Sequence, residues 1–294
     1  MNKVGFIGVG IMGKSMVRNL MKAGFELHIY ARTKSKVEDV IGEGAQFHES
    51  IKDCVQDCDA VITIVGFPQD VEEVYFDEGN ILDSAKKGAY LIDMTTTSPQ
   101  IAEKIYAEGT KRGFYVMDAP VTGGDTGAKA GTLSILVGGE KEDYEACMPL
   151  FEAMGTNINY QGKAGCGQHC KLANQIMIAG TLSGVCEALT YAKEQGLDPE
   201  VFMKSVATGA AGSKQLDTFG PKILKDDYAP GFFMKHFIKD MKLALIEANR
   251  KGLSLDVLSM VLANYEELEQ EGYGDLGTQA LMKFYDEEHR NTEE

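Results

Sequence analysis

An α/β domain followed by an all-α domain is the fold class this chain predicts, and three observations predict it. Short apolar, β-branched runs alternate with helical patterns from residue 3 to about residue 158, the rhythm of a parallel sheet with crossover helices. A glycine-punctuated stretch, Gly8-Val9-Gly10-Ile11-Met12-Gly13, stands between the first apolar run and the first helical one. Beyond Gly162 the alternation stops and every segment reads helical. The division gives domains 1–162 and 163–294, joined by a long helix within residues 162–195. At 294 residues the chain is long enough for two such cores.

The composition narrows the function classes. With 44% hydrophobic and 25% charged residues, the chain is an ordinary ordered one. A net charge of −15 argues against nucleic acid or an anionic membrane surface as partner, while leaving small anionic ligands open. The start, MNKVGFIGVG, is too short and glycine-rich for a signal h-region, and no run reaches the roughly 18 apolar residues of a membrane span. Six scattered cysteines then make a reducing, cytoplasmic compartment the expectation. Cys166, His169 and Cys170 form the tightest metal-capable cluster but lack a second ligand pair, so no metal is expected. These cysteines read as small buried hydrophobes.

In chain order, KVGFI (3–7) is the first strand. Gly8 allows the tight turn that follows, Gly10 lets a pyrophosphate approach the backbone, and Gly13 lets helix and strand pack closely. The helix opening at Ile11 and Met12 offers N–H groups and a positive dipole end to phosphates, and it stops at Gly24. This strand–turn–helix is the fingerprint of a Rossmann-type, doubly wound sheet that binds a dinucleotide. The second strand (27–30) ends in Ala31-Arg32-Thr33, where an Asp or Glu would accept from the adenosine ribose. No carboxylate stands there, and the planar fork of Arg32 suits a 2′-phosphate, so NADP is expected with NAD as the alternative. A surface arginine after a strand is the plainer reading.

A short helix (37–41) and a buried strand (60–65) follow, and Val65-Gly66 ends that strand at the carboxyl edge, where open α/β sheets bind ligands. The next strand (89–93) leads into Thr95-Thr96-Thr97-Ser98, which caps a helix over 99–111. Capping needs one hydroxyl and leaves the others for a ligand. After a strand at 115–118 comes the glycine-rich turn 119–127, whose successive N–H groups form a nest for a carboxylate or oxyanion. A strand (133–137), a helix (143–154) and a short strand near Ile158 complete the domain.

The long helix carries Leu172, Ile176, Met177, Ile178, Leu182, Val185, Ala188 and Leu189 nearly all round, the pattern of a buried helix. Lys171 lies in its first turns and shares a face with Asn174 and Gln175. A buried ammonium is paired, or its pKa falls toward the range of a general acid; alternatively Lys171 snorkels its head to solvent. Helices are expected over 199–206, 213–224, 236–250, 256–270 and 278–288, with a solvated acidic tail. Lys239 and Asp240 read either as a pair on a solvated face or, behind Phe232, Phe233 and Phe237, as the wall of a pocket.

Taken together these segments resemble the β-hydroxyacid dehydrogenase family, the group of 3-hydroxyisobutyrate dehydrogenase and tartronate semialdehyde reductase. Four ordered motifs carry the resemblance over essentially the whole chain. Residues 5–13 are similar to the N-terminal signature, and Asp118-Ala119-Pro120-Val121-Thr122-Gly123-Gly124 to the substrate loop, with threonine where serine is usual. Residues 162–171 are similar to the catalytic segment, and Phe237-Ile238-Lys239-Asp240 to a late lysine–aspartate element. The resemblance implies that Lys171 donates the proton, that Asn174 binds substrate, and that Thr122, Gly123 and Gly124 hold its carboxylate. It also implies that Thr96 and Lys239 approach the cofactor. Many members carry a second asparagine where this chain has Gln175.

The implied activity is NAD(P)-dependent interconversion of a small carboxylate-bearing aldehyde and its hydroxy acid, by a homo-oligomer, dimer or tetramer. An imine reductase or a non-catalytic dinucleotide sensor on the same fold is the competing reading. The intact Lys171 weighs against both.

Overall fold

The computed structural model describes residues 1–286. By packing, the chain divides into two compact units, one spanning Met1–Lys171 and the second starting at Leu172.

Among the described residues, nine strands of the first unit form one sheet: β1 (Lys3–Ile7), β2 (Glu26–Tyr30), β3 (Gln46–Phe47), β4 (Ala60–Thr63), β5 (Tyr90–Asp93), β6 (Tyr115–Asp118), β7 (Val121–Thr122), β8 (Leu133–Gly138) and β9 (Gly155–Gly162). Their order is β3-β2-β1-β4-β5-β6-β8-β7, with β9 beside β8. Pairing is parallel from β3 through β6, β8 runs antiparallel to β6 and β7, and β9 is parallel to β8.

The two-residue period of the strands explains the double winding. Val4 and Phe6 of β1, Ala60 and Ile62 of β4, Ile92 and Met117 face one core with Met16, Leu20 and Phe151. Ile7, Val61, Leu91 and Val116 face the other, with Val55, Tyr75 and Ile105. Because both faces are covered, these strands read as continuous apolar runs. Sheet order reverses between β1 and β4, so their carboxyl ends form the topological switch point.

Several boundaries differ from the sequence reading, each for a local reason. The helix expected over 143–154 is two helices, Lys141–Ala146 and Met148–Met154. Pro149 has no N–H to continue the ladder. The stretch 119–127 is not a bare turn: it contains β7 and the start of a helix, Gly124–Ala130, with Gly123 at φ 129° between them. The sequence reading also lacks the helix Pro68–Phe76, whose buried Val71, Val74 and Tyr75 do fall at helical spacing, and the strand β3, whose two residues are too few to show a period.

In the second unit, Leu172, Leu182, Cys186 and Leu189 of the long helix Cys166–Glu194 share a core with Phe237, Met241, Leu258, Val261 and Tyr265. The Phe237 and Tyr265 rings meet edge to face at 5.4 Å, and the Tyr265 hydroxyl donates to the carbonyl of Thr278 at 2.7 Å. By length and composition the long helix could cross a membrane. Its buried members instead make it a core helix, although not on every side: Met177 is 74% exposed and Tyr191 67%. The segment from Thr278 is a 3-10 turn, Thr278–Leu281, followed by the helix Met282–Tyr285. The rest of that expected helix and the acidic tail lie outside the described residues.

Candidate active site

At the end of β1, Gly8 has φ +97°, and a Cβ there would lie 2.1 Å from the carbonyl oxygen of Ile64. A Cβ on Gly13 would lie 2.2 Å from the carbonyl oxygen of Gly8. Both glycines are therefore required by backbone packing. Gly10 differs, because a Cβ there would meet no protein atom within 4 Å. It caps the helix Ile11–Lys22 without any side-chain cap, and the first turn carries no acidic residue. A helix N-terminus without a side-chain cap, with open space beside Gly10, fits a dinucleotide pyrophosphate.

Arg32 and Thr33 follow β2 as expected, and the Arg32 side chain is 75% exposed. The fold does bring a carboxylate to this strand end from elsewhere. Asp70, in the first turn of Pro68–Phe76, accepts from Arg32 Nη1 at 3.2 Å and from the backbone N–H of Phe67 at 2.9 Å.

Val65 and Gly66 follow β4, and the Val65 N–H donates to Thr95 Oγ1 at 3.0 Å. Thr95 N–H donates to Asp93 Oδ1 at 3.1 Å, and Thr63 Oγ1 donates to the same oxygen at 2.8 Å. Burial pushes the Asp93 carboxyl up to about 6 against these hydrogen bonds. Gln168, fully buried at the start of the long helix, donates from Nε2 to the Thr95 carbonyl at 2.7 Å. Its Oε1 accepts from the Thr97 N–H at 3.0 Å. Neither Asp93 nor Gln168 was singled out by sequence, since their partners are remote or carry no motif.

Asp118, at the end of β6, fixes the start of the long helix. Its Oδ1 accepts from the Gly165 N–H at 2.7 Å and its Oδ2 from the Gln168 N–H at 2.8 Å. Burial raises its pKa, and these two bonds oppose the rise. Glycine at 167 permits this approach, since a Cβ there would lie 2.3 Å from the carbonyl oxygen of Leu136. One turn later stands Lys171, buried at 7% exposure. Also in the first unit, Thr122 pairs with Ser134 in the sheet, and Gly123 and Gly124 both have positive φ where the next helix begins.

In the second unit Gln175 is 2% exposed, and its amide is committed at both ends. Nε2 donates to Asp240 Oδ2 at 2.6 Å, and Oε1 accepts from Asn174 Nδ2 at 2.8 Å. Asp240 also pairs with Lys239 at 3.0 Å, with side-chain exposures of 0% and 12%. The pair is therefore buried and not on a solvated face. Asn174 is half-buried and oriented by its longer neighbour.

Comparisons with known proteins cover both parts of the chain. The NAD binding domain of 6-phosphogluconate dehydrogenase matches residues 3–162. The NAD-binding family of NADP-dependent 3-hydroxyisobutyrate dehydrogenase matches residues 165–285. An uncharacterised oxidoreductase of Bacillus subtilis (strain 168) is 49% identical over 96% of this chain and 98% of its own length. The 2-hydroxy-3-oxopropionate reductase of Escherichia coli (strain K12) is 37% identical over 86% of each chain. The structure of Mycobacterium tuberculosis 3-hydroxyisobutyrate dehydrogenase with L-serine superposes with a TM-score of 0.88 at 26% identity, covering 96% of this chain and 98% of that one. With a dinucleotide cradle at the switch point and both parts of the chain matched, the protein belongs to the β-hydroxyacid dehydrogenase family and is an NAD(P)-dependent hydroxyacid oxidoreductase.

Proposed function

We propose that the protein reduces a short aldehyde bearing a carboxylate to its 3- or 4-hydroxy acid, with Lys171 as proton donor. The observation that carries this reading is the burial of Lys171, 7% exposed, one turn beyond the anchor that Asp118 provides at the sheet's ligand edge.

Gly8, Gly10, Ile11, Met12 and Gly13 would hold the coenzyme pyrophosphate, Arg32 and Thr33 its adenosine ribose, and Val65, Gly66 and Thr96 the portion along the sheet edge. When bound, the reduced coenzyme supplies the hydride. Lys171 Nζ gives its proton to the aldehyde oxygen as the carbonyl carbon is reduced, and solvent returns a proton to the amine afterwards. In the reverse direction the neutral amine takes the proton from the hydroxyl.

Thr122, Gly123 and Gly124 offer backbone donors to the substrate carboxylate, and Asn174 adds an amide one turn beyond Lys171. Gln175 supports the site by holding Asn174. The name of the E. coli relative supports this class, because 2-hydroxy-3-oxopropionate is a short aldehyde with a carboxylate. It and 3-hydroxyisobutyrate lead the substrate pairs to be screened. A dimer or tetramer in the cytoplasm completes the proposal. Exposed Met177, Tyr191, Val257 and Met260 on the second unit support burial against another copy. Six free thiols support a reducing compartment.

Two measurements test the reading. Lys171→Met keeps the stem volume and should lower turnover by about 100-fold or more while coenzyme affinity holds. Near-parent turnover would sink the proton-donor role. Each semialdehyde should also exceed its methyl ester strongly in kcat/KM, since a missing carboxylate strands its donors. Equal values for the neutral aldehyde would refute the carboxylate assignment.

A further inference from the structure

We infer that Gln168 is a positioning residue for the reaction, an assignment that rests on Lys171 being the proton donor. Its side-chain amide clamps the backbone on both sides of Thr96 and so fixes the coenzyme edge of the sheet relative to the helical turn that carries Lys171.

The clamp has two points. Gln168 Nε2 donates to the carbonyl of Thr95 at 2.7 Å, and Oε1 accepts from the N–H of Thr97 at 3.0 Å. A primary amide is the neutral side chain that presents one donor and one acceptor side by side, the complement of a peptide's C=O and N–H. The residue between the two bonded groups is Thr96, a candidate coenzyme contact. The clamp extends to a second such contact, because Thr95 Oγ1 accepts from the Val65 N–H at 3.0 Å. Its far end is equally fixed, since the backbone N–H of Gln168 donates to buried Asp118 at 2.8 Å.

Lys171 stands three residues along the same helix, a rise of roughly 4.5 Å from Gln168. The helix is stiff over that distance, so a shift at Gln168 passes to the lysine. Hydride and proton must reach the two ends of one carbonyl, and a misplacement of about 1 Å costs on the order of 100-fold. Holding the coenzyme edge and the donor from one side chain removes that freedom.

The test uses two variants of the full chain. Gln168→Met keeps the volume and removes both bonds. It should lower kcat by about 100-fold, leave substrate KM within a few-fold, and enlarge the primary deuterium isotope effect from coenzyme deuterated at the transferred position. A residue that only stabilises the fold would lower the melting temperature and the active fraction, yet leave kcat per folded enzyme and the isotope effect unchanged.

Gln168→Glu reads the clamp through protonation. The ionised carboxylate accepts from Thr97 but cannot donate to Thr95, whereas the protonated acid can do both. Its kcat relative to the parent should therefore rise by about 10-fold or more between roughly pH 8 and pH 5.5, the window of a buried carboxyl. A ratio flat across that range, a soluble Gln168→Met with parental kcat and isotope effect, or failure of both variants to fold would each overturn the assignment. Lys171→Met, run alongside, separates the two readings. If it keeps its turnover the proton-donor role fails, and if it loses turnover while both Gln168 variants keep theirs, only the positioning role fails.

Discussion

Adding one methyl group at Gly10 or at Gly13 should have opposite consequences, although both belong to the same fingerprint. At Gly13 the new Cβ would stand 2.2 Å from the carbonyl oxygen of Gly8, a backbone atom that cannot swing aside. Helix and strand would have to part by roughly 1 Å, and overpacking of this kind typically costs about 1–3 kcal/mol. At Gly10, with φ −86°, alanine is sterically ordinary and its Cβ meets no protein atom within 4 Å. Loss of a glycine cap and loss of unfolded-state entropy are each worth up to about 1 kcal/mol with opposite signs, so stability should hardly move.

The space the Gly10 methyl would occupy is the space assigned to the pyrophosphate. Gly10→Ala should therefore weaken coenzyme binding by about 10-fold or more in a protein that melts like the parent, since even one displaced charge-assisted bond is worth about 1.5–3 kcal/mol. Thermal denaturation without coenzyme, followed by coenzyme titration of each variant, measures both quantities. A Gly10→Ala variant that binds coenzyme like the parent, or a Gly13→Ala variant that melts like it, would refute this division of labour.

Two further perturbations follow from the site. Arg32→Ala should weaken NADPH by about 10-fold or more, the loss of one charge-assisted bond partly offset by release from Asp70, and should leave NADH nearly unchanged; equal losses would show that Arg32 does not read the 2′ position. Burial holds the Asp93 carboxyl at about 6, above the ordinary value, so the folded state keeps its proton more tightly than the unfolded chain. The stability this gives is complete below about pH 4 and is lost as pH rises through about 6, by at most about 3 kcal/mol. Asp93→Asn should flatten that decline in urea midpoints taken across the range, and parallel curves for variant and parent would contradict it.

The elements read correctly from sequence were those whose cause is local. β1, its glycines and the following helix are specified within one short stretch, and the cap at Ser98 sits beside the helix it starts. A cation among apolar residues made Lys171 legible as a candidate, although burial and a head snorkelled to solvent both fitted it. The partners of the site were not legible. Gln168 meets Thr95 and Thr97 across more than seventy residues of sequence, and Asp70 meets Arg32 across 38. No periodicity encodes such a meeting; only the sheet order produces it. Lys239 and Asp240 left two readings open, a solvated pair or a pocket wall, for another reason. Adjacent opposite charges resemble a solvated pair, but Phe237 and Met241 on the same helix belong to the core and carry them inside.

The boundary of the first unit has a consequence for how such chains recombine. The sequence families divide between residues 162 and 165, whereas the packing divides after Lys171. A fragment ending at 162 would keep every strand, yet it would strip the buried carboxylate of Asp118 of its two amide donors and leave the Thr95 carbonyl and the Thr97 amide without Gln168. The dinucleotide module is therefore not a cassette that ends with its sheet. To be inherited or transplanted whole it must take the opening turns of the long helix with it, and Lys171, the residue assigned the proton, then travels with the coenzyme site and not with whatever helical domain is joined behind it.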